Sequence, residues 1–502
     1  MIRFAALSLV LSVAPAAAAA DLSPLARASL GIETDQGAAL YAGAMEDALA
    51  FRLDQARSGF RQLAAVEPGP AAVYGLESTA LWRALMTETD DDFDRFYVLN
   101  DSLASVTDRL GEAPGARLVA AMGKLHRALA FGRQERYARA GNAFRDACGL
   151  FRTLEGADAD YGRGVCEVAA GAVPRQYKFL ARLFGFRGSV AGGLARLDAA
   201  SQAGGAMEVD ATVAFAVSDA TLNERRAGSV DRLVALADAH ADSPLLGYLA
   251  GYHLLLDRRA AEAETALRRS ADLLTADGVV DVPFVQAYLG FALFRQQRFA
   301  EAATVLDGYT RAFRGRSLVA QATLDAGIAY EMAGDRAQAE RLYRRVRASR
   351  DYDSDQSAAR EAARRLASPL SASDRALVRG GAAYDAGDYA DAVQLLQPVV
   401  TDASLSEVAR AEAAYRTARA HQAQERWDDA LRHFQLAMDR PGDPLAKWGP
   451  WSVYHAGEVW EAKGDRDQAA AQYRQALENE TEFDYHKALE QRTRAALERI
   501  QR

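Results

Sequence analysis

Few residues in this 502-residue chain stand at the spacings that chemistry requires. A phosphate-cradling loop needs glycines followed by Lys and Ser or Thr, and no Gly-Lys-Ser/Thr run occurs. Gly185, Gly188, Gly192 and Gly193 cluster, but they lack the dinucleotide-loop spacing and a preceding strand pattern. They read as a helix-to-helix turn, and Ser189 within it has no Gly-x-Ser-x-Gly context. The seven histidines are scattered, and none forms the His-Glu-x-x-His pair that would place two imidazoles on one helical face for zinc. Asp351, Asp353, Asp355 and Glu361 have the composition of a calcium loop without its order. Counted from Asp351, the position that needs Gly is Gln356 and the one that needs a bidentate Glu is Ala362. Asp90, Asp91, Asp92 and Asp94 stand where a helix should begin, and carboxylates there favour the helix dipole. The chain is therefore expected to have no catalytic residue, no cofactor and no metal.

Two features remain. Cys148 lies about eight residues before a turn near Gly156, and Cys166 about nine after it. Two antiparallel helices would bring them to one height, where an oxidising compartment would let them join. The alternative is two small buried hydrophobes. In Tyr177–Arg187, Phe179, Leu180, Leu183, Phe184 and Phe186 interleave with Lys178, Arg182 and Arg187. Such a basic amphipathic helix could touch a membrane surface, but its place between turns in mid-chain favours packing on neighbouring helices.

The elements that would hold these residues begin after an export signal. Arg3, an apolar run from Phe4 to Val13, Pro15 and Ala18-Ala19-Ala20 have the layout of a secretory signal peptide over 1–20, cleaved near Ala20. The apolar run is too short to span a bilayer. Half of the residues are hydrophobic, a quarter are charged, and Pro numbers 13, a mixture that favours helices. The net charge of −8 argues against a nucleic-acid partner.

Self-similarity organises the rest. One unit contains Ala326-Gly327, Tyr330, Gly334-Asp335, Ala339, Tyr343 and Val346. Another contains Ala456-Gly457, Trp460, Gly464-Asp465, Ala469, Tyr473 and Ala476. Further copies run through Gly380, Ala383, Gly387-Asp388-Tyr389, Ala392 and Leu396, and through Ala418, His421, Trp427, Ala430 and Phe434. Upstream come Gly290, Phe299, Ala302 and Leu306, then Gly251, Leu254, Ala263 and Leu267. Fainter copies surround Ala128 and Ala140, and Ala44 and Ala56. This order of small and large residues resembles the tetratricopeptide repeat (TPR), in which two antiparallel helices meet at small residues at positions 8 and 20. Within each of two groups (Ala263, Ala302, Ala339, then Ala392, Ala430, Ala469) the alanines at position 20 recur every 37 to 39 residues or so, slightly longer than the roughly 34 of the standard unit, and the wider step from Ala339 to Ala392 leaves room for an additional helix.

The resemblance implies an all-α, TPR-type α-solenoid of stacked antiparallel helix pairs, with an irregular helical segment near 158–240. The expected divisions are an N-terminal linker at 21–36, degenerate repeats at 37–157 and the irregular segment at 158–240. Central repeats plus an extra helix (Asp355–Ala367) follow at 241–368, then C-terminal repeats and a capping helix at 369–502. The Tyr161 to Leu197 stretch, with Gly162, Gly164, Pro174, Gly185, Gly188 and Gly193, is similar to a segment of uncharacterised exported bacterial TPR proteins. Asp484-Tyr485, Leu489, Arg492 and Ala495-Ala496 weakly resemble the closing helix of a eukaryotic TPR family linked to inclusion-body clearance. His421 falls at an apolar repeat position and is expected in the core, whereas His253 and His455 are expected at the surface or an interface.

A TPR array presents a concave surface built from its first helices, and such surfaces bind proteins or peptides. The expected function is a non-enzymatic protein-interaction scaffold of the periplasm or cell envelope. A subunit of envelope assembly or secretion machinery is the narrower alternative, and a lipid- or glycan-binding protein or an unrecognised enzyme the remote one. Positions 2, 5, 9 and 12 of the first helices should face the groove. They give Leu245, Tyr248, Tyr252 and Leu255, then Phe284, Phe291 and Phe294, an aromatic stripe suited to a binding hot spot. Later repeats place Tyr415, Arg419, Trp451 and Tyr454 there, so the Lys, Arg and Asn clamp for a peptide C-terminus is not matched. The alternative for the aromatic stripe is that Tyr177–Leu197 covers it.

Overall fold

The computed structural model describes residues 22–113, 115–173, 187–222, 226–347, 353–440, 447–478, 483 and 485–500. The signal sequence expected at 1–20 and residues 177–186 of the amphipathic stretch lie outside them. Among the described residues there are 25 α-helices and no strand. In chain order they begin α1 (Pro24–Leu30), α2 (Asp35–Leu49), α3 (Leu53–Val66), α4 (Pro70–Thr87), α5 (Asp90–Leu110), α6 (Ala116–Arg133), α7 (Tyr137–Phe151) and α8 (Ala157–Ala172). Then come α9 (Val190–Ala200), α10 (Glu208–Leu222), α11 (Arg226–Ala239), α12 (Pro244–Leu256), α13 (Ala260–Leu273), α14 (Phe284–Arg295), α15 (Phe299–Ala312), α16 (Val319–Met332) and α17 (Arg336–Tyr343). The last are α18 (Asp353–Ala367), α19 (Ala372–Ala386), α20 (Tyr389–Thr401), α21 (Glu407–Ala423), α22 (Trp427–Met438), α23 (Trp448–Ala462), α24 (Arg466–Leu477) and α25 (His486–Ile500). Consecutive helices pack as antiparallel pairs, giving a TPR-type α-solenoid. The chain divides into two compact units. One comprises the residues to Asp257 with Thr265–Val285 and Phe313–Arg316; the other comprises Arg258–Glu264, Gln286–Ala312 and Ser317 onward.

The repeat pattern has a direct steric cause. A Cβ added at Gly251, Gly290, Gly327, Gly380 or Gly457 would lie within 2.6 Å of Leu267, Leu306, Tyr343, Leu396 or Tyr473 respectively. Each glycine therefore lets a large side chain of the second helix lie against the first helix's backbone. Those five large residues are fully buried or nearly so, each contributing roughly 1.5–3 kcal/mol of transfer free energy. In eight of the described pairs the turn places one residue in the left-handed region. Gly334, Gly387 and Gly464 do so at φ 83–96°, while Phe51, Glu135, Arg258, Gln297 and Glu425 take φ 58–62° at the matching place. Asp335 and Asp465 then cap their second helices, accepting from Gln338 N and Gln468 N at 3.0 Å, whereas Asp388 makes no side-chain cap bond.

Two stretches can be set against the sequence reading. Within 21–36, expected as a linker, α1 buries Leu22, Ala26 and Leu30 with its flanks, and the Ser23 hydroxyl donates to Gly204 O at 2.5 Å. Its signal was present: Ser23 before Pro24 marks a helix start, and Gly31 at φ 68° its end. Within 158–240, expected as an irregular helical segment, the described helices pack as α8 with α9 and α10 with α11. There the small-residue contact is glycine on glycine: a Cβ on Gly193 would meet Gly164 O and Val168 N, both at 2.6 Å. The two helices touch backbone to backbone, a packing that the leucine- and tyrosine-based repeat pattern does not contain. His253 and His455, expected at the surface or an interface, are buried, and His421, expected in the core, is buried as well. The extra helix is α18, which packs on α16 and α17, and Ser189 caps α9. The final helix α25 covers the last pair, burying Leu489 and Ala496, and its Arg499 donates twice to Glu461, at 2.7 and 2.8 Å.

Candidate protein-binding surface

The first-helix positions singled out above fall in two settings. In the first unit, Leu245, Tyr248, Leu255 and Phe284 are buried and Tyr252 is half-buried. The Tyr248 ring lies 6.0 Å from Phe284, which meets Phe313 edge-on at 5.4 Å. Arg133, at the end of α6, lies over the Phe284 ring at 5.5 Å and ion-pairs with Glu88, just past α4. Glu88 Oε2 also accepts from Arg316 N at 2.9 Å. Leu245, Tyr248, Leu255 and Phe284 therefore line an interior rather than an open groove. The chain's own earlier repeats roof the Phe284 end of it, and burial holds the Tyr248 hydroxyl above the usual phenol range. Sequence periodicity finds a face but not what lies against it, since Glu88 and Arg316 are 228 residues apart.

The same interior holds polar groups that the sequence reading passed over. Glu77 is fully buried; its Oε1 accepts from Asn100 Nδ2 at 2.7 Å, and its Oε2 lies 2.7 Å from His126 Nδ1. His126 stacks on Tyr74 at 5.6 Å. Asp210, on α10, is also buried, and among the described residues no other residue hydrogen-bonds to its carboxylate oxygens. Burial, and secondarily the charge of Asp158, pushes the Asp210 carboxyl well above the usual carboxylate range. Tyr41, Tyr74 and Tyr161 lie near this carboxyl and are raised too, chiefly by burial.

In the second unit, Phe291 and Phe294 are half-buried, and Phe294 meets Phe299 edge-on at 5.2 Å. Tyr415 and Arg419 on α21 are half-buried, whereas Trp451 and Tyr454 on α23 are buried against Tyr473 and α25. The structure brings Tyr415 and Arg419 together with residues of the next first helix. Arg419 Nη1 donates to Gln422 Oε1 at 2.8 Å and to Glu458 Oε2 at 3.3 Å, and Gln422 Nε2 donates to Glu458 Oε2 at 3.2 Å. His455 Nδ1 stands 2.7 Å from Glu458 Oε2 and 2.8 Å from Arg419 Nη1. Burial and the Arg419 charge lower His455 to about 4, so the imidazole is neutral at pH 7. Burial alone would raise Glu458, but His455, Arg419 and Gln422 together hold it well below the usual range. The Tyr415 ring lies 5.3 Å from Trp448, and Arg416 covers Trp448 at 5.4 Å. Here an aromatic and ionic cluster spans two neighbouring first helices.

Cys148 and Cys166, on the paired helices α7 and α8, are joined by a disulfide with Cα atoms 5.8 Å apart. Among the described residues no group of His, Cys, Asp or Glu is arranged to hold a metal ion, and no helix is long and apolar enough to cross a membrane.

No family model matches the chain, and no curated protein sequence matches it. Solved structures similar to it include the APC/C hetero-tetramer Cut9–Hcn1 (TM-score 0.28, 12% identity, covering 96% of this chain and all of that one). Yeast Tom70 gives a TM-score of 0.31 at 12% identity over 88% of this chain and 99% of its own. The human IFIT1 dimer with PPP-AAAA gives 0.30 at 13% identity over 86% and 94%. Superpositions this loose bear on no individual residue.

Proposed function

We propose that the chain is a non-enzymatic protein-interaction scaffold, exported to the periplasm or cell envelope, that captures a partner on the first-helix face of its C-terminal repeats. The observation that carries this is the Tyr415–Arg419–Gln422–Glu458 cluster. Its donors and acceptors are bonded to one another before any partner arrives, which lowers the ordering cost of binding. The face differs from the aromatic stripe expected at Leu245 to Phe284, whose members are spent on the first unit's own interior. Membership in an envelope assembly or secretion machine is the narrower form of the same reading. The disulfide supports export, since such bonds persist in oxidising compartments.

The test is capture after cross-linking in envelope extracts, comparing the natural chain with Tyr415→Ala/Arg419→Ala. Glu458 keeps His455 and Gln422 as partners in this variant, so the fold is expected to survive with unchanged helicity. A protein partner recovered by the natural chain and lost by the variant supports the reading. Recovery of lipid or glycan in its place, or equal recovery by both chains, sinks it.

A further inference from the structure

Residues 336–347 hold five arginines (Arg336, Arg341, Arg344, Arg345, Arg347) against one acid, Glu340, in a chain of net charge −8. The fold gathers several of them, with Arg311 of α15, around a single buried carboxylate. Asp307 Oδ2 accepts from Arg341 Nη2 at 2.9 Å, Asp307 Oδ1 accepts from Arg345 Nη1 at 3.3 Å, and Arg311 also pairs with Oδ2. The Asp307 side chain is 2% exposed, while those of Arg311, Arg341 and Arg345 are 60%, 39% and 36% exposed. Three cations against one anion leave an excess of two at this point. Arg347 adds a third, since it is exposed and, among the described residues, donates to the carbonyls of Arg344 and Val346. Arg344 is exposed as well and shares Glu340 with Arg336.

The buried carboxylate does more than neutralise one charge. It holds Arg341 and Arg345 in place, together with bonds from Arg341 Nε to Gln338 Oε1 at 2.8 Å and from Arg345 Nη2 to Thr310 O at 3.3 Å, and the partly exposed guanidiniums beside Arg311, Arg344 and Arg347 present a positive face to carboxylates. We propose that this arginine face of α15 and α17 is a docking surface for an acidic, Asp/Glu-rich segment of a protein partner. A bilayer surface fits less well, because membrane-binding cations work beside apolar side chains that insert. The large apolar side chains exposed among the described residues are Leu25, Val66, Val98 and Tyr137, all in the other unit. Nucleic acid fits less well too, since Tyr343, the aromatic residue of α17, is buried and offers no stacking platform. The surface lies on second helices, so it stands or falls independently of the first-helix cluster around Arg419.

The experiment titrates the full oxidised chain with a fluorescently labelled peptide of alternating Glu and Asp, at two salt concentrations. Beside it run vesicles rich in phosphatidylserine and a single-stranded oligonucleotide of matched charge. The variant is Arg311→Gln/Arg344→Gln/Arg347→Gln, which leaves Arg341 and Arg345 on Asp307 and so spares the buried carboxylate. The expected result is peptide binding that weakens with salt and falls about tenfold or more in the variant, with circular dichroism unchanged. Peptide affinity equal in the two chains overturns the proposal. So does vesicle or oligonucleotide binding tighter than that of the peptide. Should the triple variant unfold, Arg347→Gln alone is read in the same way, with a loss of about twofold or more expected.

Discussion

Replacing Asp210 by Asn tests whether the first unit carries an uncompensated acid in its interior. The carboxyl is buried with no other described residue hydrogen-bonded to its oxygens, and burial raises its folded pKa well above its ordinary value. Between the unfolded pKa, about 3.9, and that raised value, the folded chain holds a proton that the unfolded chain has released. Stability must therefore fall as pH rises through this window, by roughly 1.4 kcal/mol for each unit. The acid and phenols facing it (Asp158, Tyr41, Tyr74, Tyr161) supply no positive charge to cancel the effect. Asn keeps the size and polarity but has no proton to lose. Its stability relative to the natural chain should grow from pH 5 to pH 6. Urea titrations at the two values would measure this, with amide exchange in α2, α4, α8 and α10 locating it. Asp325, raised to about 7 by burial, adds the same slope to both proteins and cancels in the difference. Parallel pH profiles for the two chains would mean that Asp210 is ionised in the fold, and would refute the account.

Reducing the Cys148–Cys166 bond, which closes a separation of 18 residues, should cost about 3 kcal/mol of stability. The loss should appear first as faster amide exchange in α7 and α8. Gly193→Ala should destabilise by about 2–3 kcal/mol, because its Cβ meets backbone at Gly164 and Val168 that cannot turn aside. Gly290→Ala should cost no more than about 1 kcal/mol, since the Leu306 side chain can rotate and the helix gains about that much from Ala; chemical denaturation ranks the pair. Glu88→Ala strands Arg133 in a nearly buried site and should lower first-unit stability by about 3 kcal/mol. Arg133→Met should recover part of that loss when combined with it, as a double-mutant cycle would measure.

The repeat was legible because its cause is local. A glycine at one position and a large side chain sixteen residues later, as in Gly327 and Tyr343, meet within one helix pair, so spacing alone encodes the contact. The turn position was legible only where it is glycine. At Phe51, Glu135, Arg258, Gln297 and Glu425 the same left-handed conformation is imposed by the pair closing around it, and the residue type gives no sign. The first-helix face was legible as a periodicity, but its exposure was not. Whether Phe284 meets solvent depends on Arg133, and whether Tyr415 meets a neighbour depends on Trp448, neither of which a repeat register relates. Asp307 reads as one more acid on an amphipathic helix until α17 sets arginines around it.

The closures within the first unit also bear on how it comes to exist. In a simple solenoid each pair touches only its neighbours, so folding can begin anywhere and pairs can be trimmed from an end. Here Ser23 bonds to Gly204, Leu49 to Ser243 and Glu88 to Arg316, at sequence separations of 181, 194 and 228. Those bonds make the early repeats hostage to residues made much later. During synthesis the helices up to α11 can form in pairs, but the roof over Phe284 cannot close before Arg316 has been added. Truncations inside the first 316 residues should then remove the unit as a whole, while shortening from α25 backward removes one pair at a time.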